Sequence, residues 1–316
     1  MARRFERLVE QAPEYWTAAE LGDADIIVHP HHYIAGERTE RTAELARKAG
    51  LPCLFFRQND SHEPAEPSYG QVYRTSIMAD ERTPVEHGMP DFCDDPLRDR
   101  DGRPAPLERP DKPTIGFCGF VGSPLRRFAY RWVGEYDKVA GLIIRELAMR
   151  AFEGNERVHS AFIRRKSFWN GAVMRGSINE SARAASRRDF VENLFNNAYN
   201  LCARGKGNFS TRFYEVLAAG RIPVFINTSC VLPFEDEIDY RKHCVWIEEP
   251  DLPRAGEIVA DFHAALDEDA FRQMQLDNRA LWERWFEPTS FYKLVIGRAV
   301  GAGNDQHPTG STRTAD

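Results

Sequence analysis

The sequence predicts an α/β protein built from two doubly wound units that face each other across a cleft. Three observations lead there. Short apolar, β-rich runs alternate with amphipathic helical patterns, which is how parallel sheets with crossover helices read. The chain has 316 residues, enough for two units of ordinary size. A proline-rich, mixed-charge stretch from Asp94 to Pro113 separates the two series of strands and helices and puts a boundary near Pro110. The expected units are 1–110 and 111–300, each a Rossmann-like domain, with 301–316 as a frayed, Gly- and Thr-rich tail.

The elements follow in order. ADIIVHP (Ala24 to Pro30) reads as a buried strand, and TERTAELARKAG as a helix stopped at Gly50. LPCLFFRQND (Leu51 to Asp60) is a strand that runs out in polar residues, and QVYRTSIMAD (Gln71 to Asp80) is a third. After the boundary, TIGFCGFVGS (Thr114 to Ser123) opens a new strand with a glycine-bearing turn, followed by a long helical stretch from Leu125 to Glu153. RRDFVENLFNNA (Arg187 to Ala198) is a helix leading into the strand that begins at Tyr199. Past Ile226 come a strand at Cys244 to Glu249 and helices over 254–266 and 269–285. In the last of these, Phe271, Met274, Leu281, Trp282 and Trp285 form a broad apolar face that ties the C-terminal region back across the units.

Composition narrows the class. Hydrophobic residues make up 42% and charged residues 28%, a soluble globular balance. A net charge of −6 argues against duplex nucleic acid as a partner, which needs a broad basic surface. No apolar run reaches membrane-spanning length, and the N-terminal residues hold no apolar h-region, so the expected location is cytoplasmic with at most peripheral contact to a membrane. The six cysteines are scattered without a CxxC and read as small buried hydrophobes.

The stretch YNLCARGKGNFSTRFYEVLAAGRIPVFI, from Tyr199 to Ile226, carries the chemistry. A strand ends in Arg204-Gly205-Lys206-Gly207, and a helix begins near Ser210, its expected cap. Phe213, Val216, Leu217 and Gly220 share the face toward the sheet, while Thr211 and Glu215 lie on the opposite side. A helix N-terminus after such a turn presents free N–H groups to a diphosphate, with Arg204 and Lys206 adding positive charge. Glu215 is an acceptor suited to vicinal ribose hydroxyls. Local chemistry leaves a plain strand–turn–helix with a solvated glutamate equally open, because the turn is neither GxGxxG nor a Walker loop.

The same residues resemble the C-terminal signature of the exostosin-like glycosyltransferases, glycosyltransferase family 47. The matching pieces are Cys202-Ala-Arg-Gly, Ser210-Thr-Arg-Phe-Tyr-Glu215, Gly220-Arg-Ile-Pro-Val224, Pro233-Phe234 and Asp239-Tyr240, in order and spacing over Phe195 to Glu249. Ala203 replaces a proline and Tyr240 a tryptophan, and the N-terminal third matches only loosely. The resemblance implies a GT-B type fold, with 1–110 as the acceptor-side domain and 111–300 as the nucleotide-sugar-binding domain. It implies an inverting, metal-independent transfer, without a cofactor, from a nucleotide-diphosphate sugar (most often a UDP-sugar) to a glycan or lipid-linked glycan in polysaccharide biosynthesis. By matching position it implies that Arg204, Ser210 and Arg212 hold the diphosphate and Glu215 the ribose.

Inversion requires a base for the acceptor hydroxyl. The candidates are Asp60, at the end of LFFRQND, and the histidines of IIVHPHHY: His29, His31 and His32. A turn aspartate and solvated histidines are the bland alternatives. Arg126, with Arg127, follows the Gly122-Ser123 turn as a candidate for phosphate or acceptor, against a solvated helix start. Arg164-Arg165-Lys166, followed by Phe168-Trp169, is a candidate grip on an anionic or lipid-linked acceptor, against an exposed basic turn. Two other functions stay open at this stage: a fucosyltransferase-like enzyme using a GDP-sugar, and a non-catalytic nucleotide-sugar-binding protein.

Overall fold

The computed structural model describes residues 15–99, 105–122, 139–165 and 177–305, with a few isolated positions besides. It contains two parallel sheets. The first has strands β1 (Ile27–His32), β2 (Cys53–Arg57), β3 (Gln71–Arg74) and β4 (Glu86–Gly88), side by side in chain order. Helix α1 (Glu37–Ala49) makes the crossover from β1 to β2. It stops because Gly50 takes the left-handed conformation, φ 67°, and its N–H caps the carbonyls of Ala46 and Arg47.

Period-two alternation divides the first core. Cys53, Phe55 and Val72 pack with Ala43 and Ala46 of α1. Leu54, Phe56 and Tyr73 point to the other face. That face is covered by Phe291, Tyr292 and Val295 of the last helix, α7 (Pro288–Asp305), which returns from the far end of the chain. The tie that the aromatic face of 269–285 was expected to make is thus made one helix later. Inside the sheet, buried Arg74 pairs with buried Glu86 at 2.8 Å, and Glu86 also accepts from the N–H groups of Ala65 and Thr83.

The strand expected to run to Asp80 ends at Arg74 for a visible reason. Beyond it the chain turns to the second unit. Ser76 Oγ accepts from Asn208 N (2.9 Å), Ala79 N donates to Ser229 O (2.8 Å), and Met78 forms a β-bridge with Cys230. The three-residue β4 lay inside a stretch that carries no strand-length pattern.

The second sheet holds β5 (Thr114–Phe120), β6 (His159–Arg165), β9 (Tyr199–Cys202), β10 (Ile222–Asn227) and β11 (Val245–Glu248). A separate antiparallel pair, β7 (Val173–Met174) and β8 (Ser177–Ile178), lies between β6 and β9 in sequence. The helices are α2 (Ala140–Glu153), α3 (Glu180–Asn196), α4 (Thr211–Ala218), α5 (Ala255–Ala264) and α6 (Glu268–Leu281), the last continued by a π turn over Trp282–Phe286. Spatial order is β6–β5–β9–β10–β11, all parallel. Phe117, Leu201 and Val224 face the cluster holding Ile144, Ala148 and Val259. Their neighbours Cys118, Cys202 and Phe225 face the cluster holding Leu194, Phe213 and Trp282. The sheet is therefore doubly wound, and its strand order reverses between β5 and β9. The first fifteen residues of the helix expected from Leu125 lie outside the described residues, apart from Val139 at its observed N-cap.

The fold makes one prediction. Phe291 is fully buried, edge-on to Tyr73 and Phe92. Phe291→Ala should lower stability by about 3–5 kcal/mol. Hydrogen exchange should show the loss in β2 and β3 more than in β9 and β10. Equal loss of protection in both sheets would refute the assignment of α7 to the first core.

Candidate functional site

In an open parallel sheet, ligands sit beyond the carboxyl ends of the strands where the order reverses. Here that point is the split between β5 and β9. The turn from Ala203 to Ser210 leaves β9 there and enters α4. Ser210 occupies the N-cap in extended conformation, but its side chain makes no capping bond. The turn is pressed from behind by α2. A Cβ on Gly141, in the first turn of that helix, would collide with the carbonyl oxygens of Arg204 and Gly205. Only glycine permits this backbone-to-backbone approach.

A cation missed by the sequence reading fills the split. Arg145, on α2, donates through Nη1 to Phe120 O at the end of β5 (3.0 Å) and through Nη2 to Ala203 O just past β9 (3.4 Å). Its Nε is buried without a hydrogen-bond partner, and no carboxylate pairs with it among the described residues. Burial, reinforced by neighbouring Arg212, pushes its pKa down to about 10. Arg204 is buried beside it and donates to Lys206 O at 3.3 Å, while Lys206 itself is exposed.

Arg212 is placed differently from what the signature implies. Its Nη2 donates to Cys118 O (2.8 Å) and its Nε to Glu215 Oε2 (3.2 Å), and the guanidinium lies over the rings of Phe117 and Phe190. It anchors α4 to β5 and fixes Glu215. Glu215, expected on the outward side, is drawn in by this pairing and is 20% exposed. Thr211 also turns from the helix: its hydroxyl donates to Asp91 Oδ2, whose other oxygen accepts from Gln58 Nε2 at 2.7 Å. Asp91 therefore joins the end of β2 to the first turn of α4. The sequence marks it only as a residue after a proline beside the linker.

The base candidates separate. His29 is 2% exposed, hydrogen-bonds Thr42 through Nδ1 (2.9 Å) and packs on Phe55. Burial, with His31 and Arg38 nearby, lowers its pKa. Its surroundings are those of a packing residue beneath α1. His32 is exposed and accepts from the backbone N–H of Gln58 at 3.4 Å. Asp60 is exposed, and a Cβ on Gly207 would lie 2.9 Å from the Asp60 Cα, so the two segments touch across the seam. Arg126, Arg127, Lys166, Phe168 and Trp169 lie outside the described residues. Arg164 and Arg165 lie on strand β6, not on a turn. Arg164 pairs with Glu153 at 2.7 Å, and buried Arg165 donates to Ser186 O at 2.8 Å, so neither is available as a basic grip.

Part of the chain is similar to known proteins. Residues 144–262 match the exostosin GT47 domain. Over 117 residues the chain is 37% identical to Exostosin-1 of Drosophila melanogaster, covering 37% of this chain and 15% of that protein. Over 116 residues it is 29% identical to a probable glucuronosyltransferase of Oryza sativa subsp. japonica, covering 35% of this chain and 26% of the relative. The similarity thus spans a minor part of each relative's length. Among solved structures the chain is similar to Acinetobacter baumannii MurG, at 13% identity and TM-score 0.37 over 93% of this chain and 77% of that one. It is also similar to TarM, at 11% identity and TM-score 0.40 over 79% and 50%. The matched residues, 144–262, take in β9 and the turn into α4 at the split, and over this part the chain is similar to exostosins and to probable plant glucuronosyltransferases.

Proposed function

We propose that the protein moves a sugar, with inversion, from a nucleotide-diphosphate donor to a hydroxyl of a glycan or lipid-linked glycan. The observation that carries this reading is Arg145, a half-buried cation at the point where the strand order reverses, its Nε buried without a hydrogen-bond partner and no carboxylate pairing with it among the described residues. An isolated buried charge is unfavourable unless an opposite charge reaches it. The diphosphate is that charge. Arg204, Lys206 and the uncapped start of α4 complete its seat. Glu215, steadied by Arg212, accepts from the ribose hydroxyls. The plant relatives' name makes a glucuronate one candidate for the sugar.

In the transfer, the acceptor oxygen attacks the anomeric carbon from the face opposite the diphosphate. The bond from that carbon to the leaving oxygen breaks, and the acceptor's proton passes to a base. Asp60 takes this role in the proposal, because its segment touches the donor turn at Gly207 and its side chain is exposed. His32, at the end of β1, is the second candidate. Fixed arginines and helix amides carry the charge that grows on the leaving diphosphate, so the step is proposed to run without a metal.

Four outcomes test the proposal. UDP or GDP should raise the melting temperature of the chain, since a ligand bound only to the native state stabilises it. Calorimetry should then show that Arg145→Ala weakens that nucleotide about 30–100-fold, the loss of a charge-assisted contact of roughly 2–3 kcal/mol. Unchanged affinity would remove Arg145 from the site. Asp60→Asn should leave nucleotide affinity intact and slow turnover by about 10²–10⁴; full turnover would pass the role to His32. Gly141→Val should displace the Arg204–Gly205 turn and weaken nucleotide binding at least tenfold by the same assay, whereas wild-type affinity would show that the close approach is not needed.

A further inference from the structure

Beyond the carboxyl ends of β10 and β11 lies a depression of about 450 Å³, lined by Asn227, Thr228, Ser229, Glu248, Glu249 and Pro250. That volume falls within the range of ligand pockets, roughly 300–1,000 Å³. It adjoins the cation-lined split directly. Phe225 of β10 pairs with Cys202 at the end of β9, so the strand end that carries the depression and the one that leads into the Arg204–Ser210 turn are neighbours in the sheet. The hydroxyl of Thr228 donates to Asn208 Oδ1 at 2.6 Å, which fastens the rim to the Arg204–Ser210 turn.

The floor is rigid and its charges are unequal. Glu248 accepts from Asn227 Nδ2 (2.6 Å), Trp246 Nε1 (2.6 Å) and Arg241 Nη2 (3.2 Å), so its charge is compensated. Glu249 has no ion-pair partner among the described residues. The lining therefore offers hydroxyl, amide and carboxylate oxygens, which suit vicinal sugar hydroxyls, and it carries an uncompensated negative charge. Position indicates which end of a donor it meets. Arg212 ties Glu215 to Cys118 O on the β5 side of α4, whereas the depression lies on the β11 side. With ribose at Glu215, the transferred sugar extends over β10 and β11.

Resting on the nucleotide-sugar reading above, we infer that this depression seats the transferred sugar and that Glu249 selects an uncharged sugar over a uronate. A uronate would bring its carboxylate against Glu249, a like-charge contact that at a half-exposed site amounts to about tenfold in affinity. The test is calorimetry on the full chain with UDP, UDP-glucose and UDP-glucuronate, and with GDP, GDP-mannose and GDP-mannuronate. The neutral nucleotide sugar should bind about tenfold more tightly than its uronate. Glu249→Gln should bring that ratio within about threefold, and Glu249→Lys should reverse it, with the affinity for the bare nucleoside diphosphate unchanged as a check on folding. A uronate that binds wild type as tightly as the neutral sugar, or a ratio unmoved by Glu249→Gln, overturns the inference and leaves the nucleotide reading standing. Failure of both UDP and GDP to bind overturns the two together.

Discussion

The second sheet is organised around one electrostatic constraint: a guanidinium held at the split between β5 and β9 with no anionic partner among the described residues. Strand-end carbonyls of Phe120 and Ala203 solvate Arg145 in part, and Arg212 repels it. To hold it there, α2 must come close enough for the side chain to reach both strand ends. That approach is possible because Gly141 has no Cβ to strike the Arg204–Gly205 backbone. Topology supplies the other half of the condition. Only where the strand order reverses do two adjacent strand ends lead away to opposite faces, leaving a gap for a side chain and a ligand.

The turn that lines this gap is also the seam between the two sheets. Asn208 is fully buried; its backbone N–H donates to Ser76, its amide to Ile77 O, and its carbonyl accepts from Thr228. Asp91 spans from Gln58 to Thr211 at the first turn of α4. Buried polar contacts of this kind are strongly unfavourable when one partner is withdrawn, so they hold the Arg204–Ser210 turn against the first sheet. Residues of the first sheet thereby help set the geometry of the proposed site. The α7 helix adds a covalent loop to the same arrangement by leaving the second unit to close the core of the first.

Legibility in the sequence followed range. The passage from β9 through α4 to β10 was readable because its signals are local: apolar periodicity, glycines at the turn, and a polar helix start. Phe213, Val216 and Leu217 are buried as the pattern required. Arg145 was not readable, since its meaning depends on β5 and β9 being neighbours, a fact of strand order that no local pattern encodes. His29 misled for a related reason. A polar HPHH run at a strand end suggests a cleft, but alternation turns His29 inward, and its partner Thr42 lies a helix away. Arg165 looked like part of a basic turn because its partners, Ser186 and Asp189, come from the following helix. Asp91 sits in a segment of prolines and charges whose only order is tertiary.

Arg212, which the resemblance places on the diphosphate, and Arg145 stand in different electrostatic surroundings. Arg212 is stacked between aromatic rings, bonded to a strand carbonyl and paired with the one carboxylate of the cluster, so its charge is largely answered within the protein. Arg145 donates to the carbonyls of Phe120 and Ala203, and no carboxylate pairs with it among the described residues, while Lys206 stands exposed on the neighbouring turn. Under the proposed transfer this imbalance is a kinetic device. A sugar-linked diphosphate brings a pair of negative charges to the site, and departure of the sugar adds another on the bridging oxygen. A guanidinium such as that of Arg145, which no carboxylate pairs among the described residues, responds more strongly to the later state than to the earlier one, and only such a difference lowers a barrier. A carboxylate placed beside Arg145 would make the empty site more stable and would remove that difference.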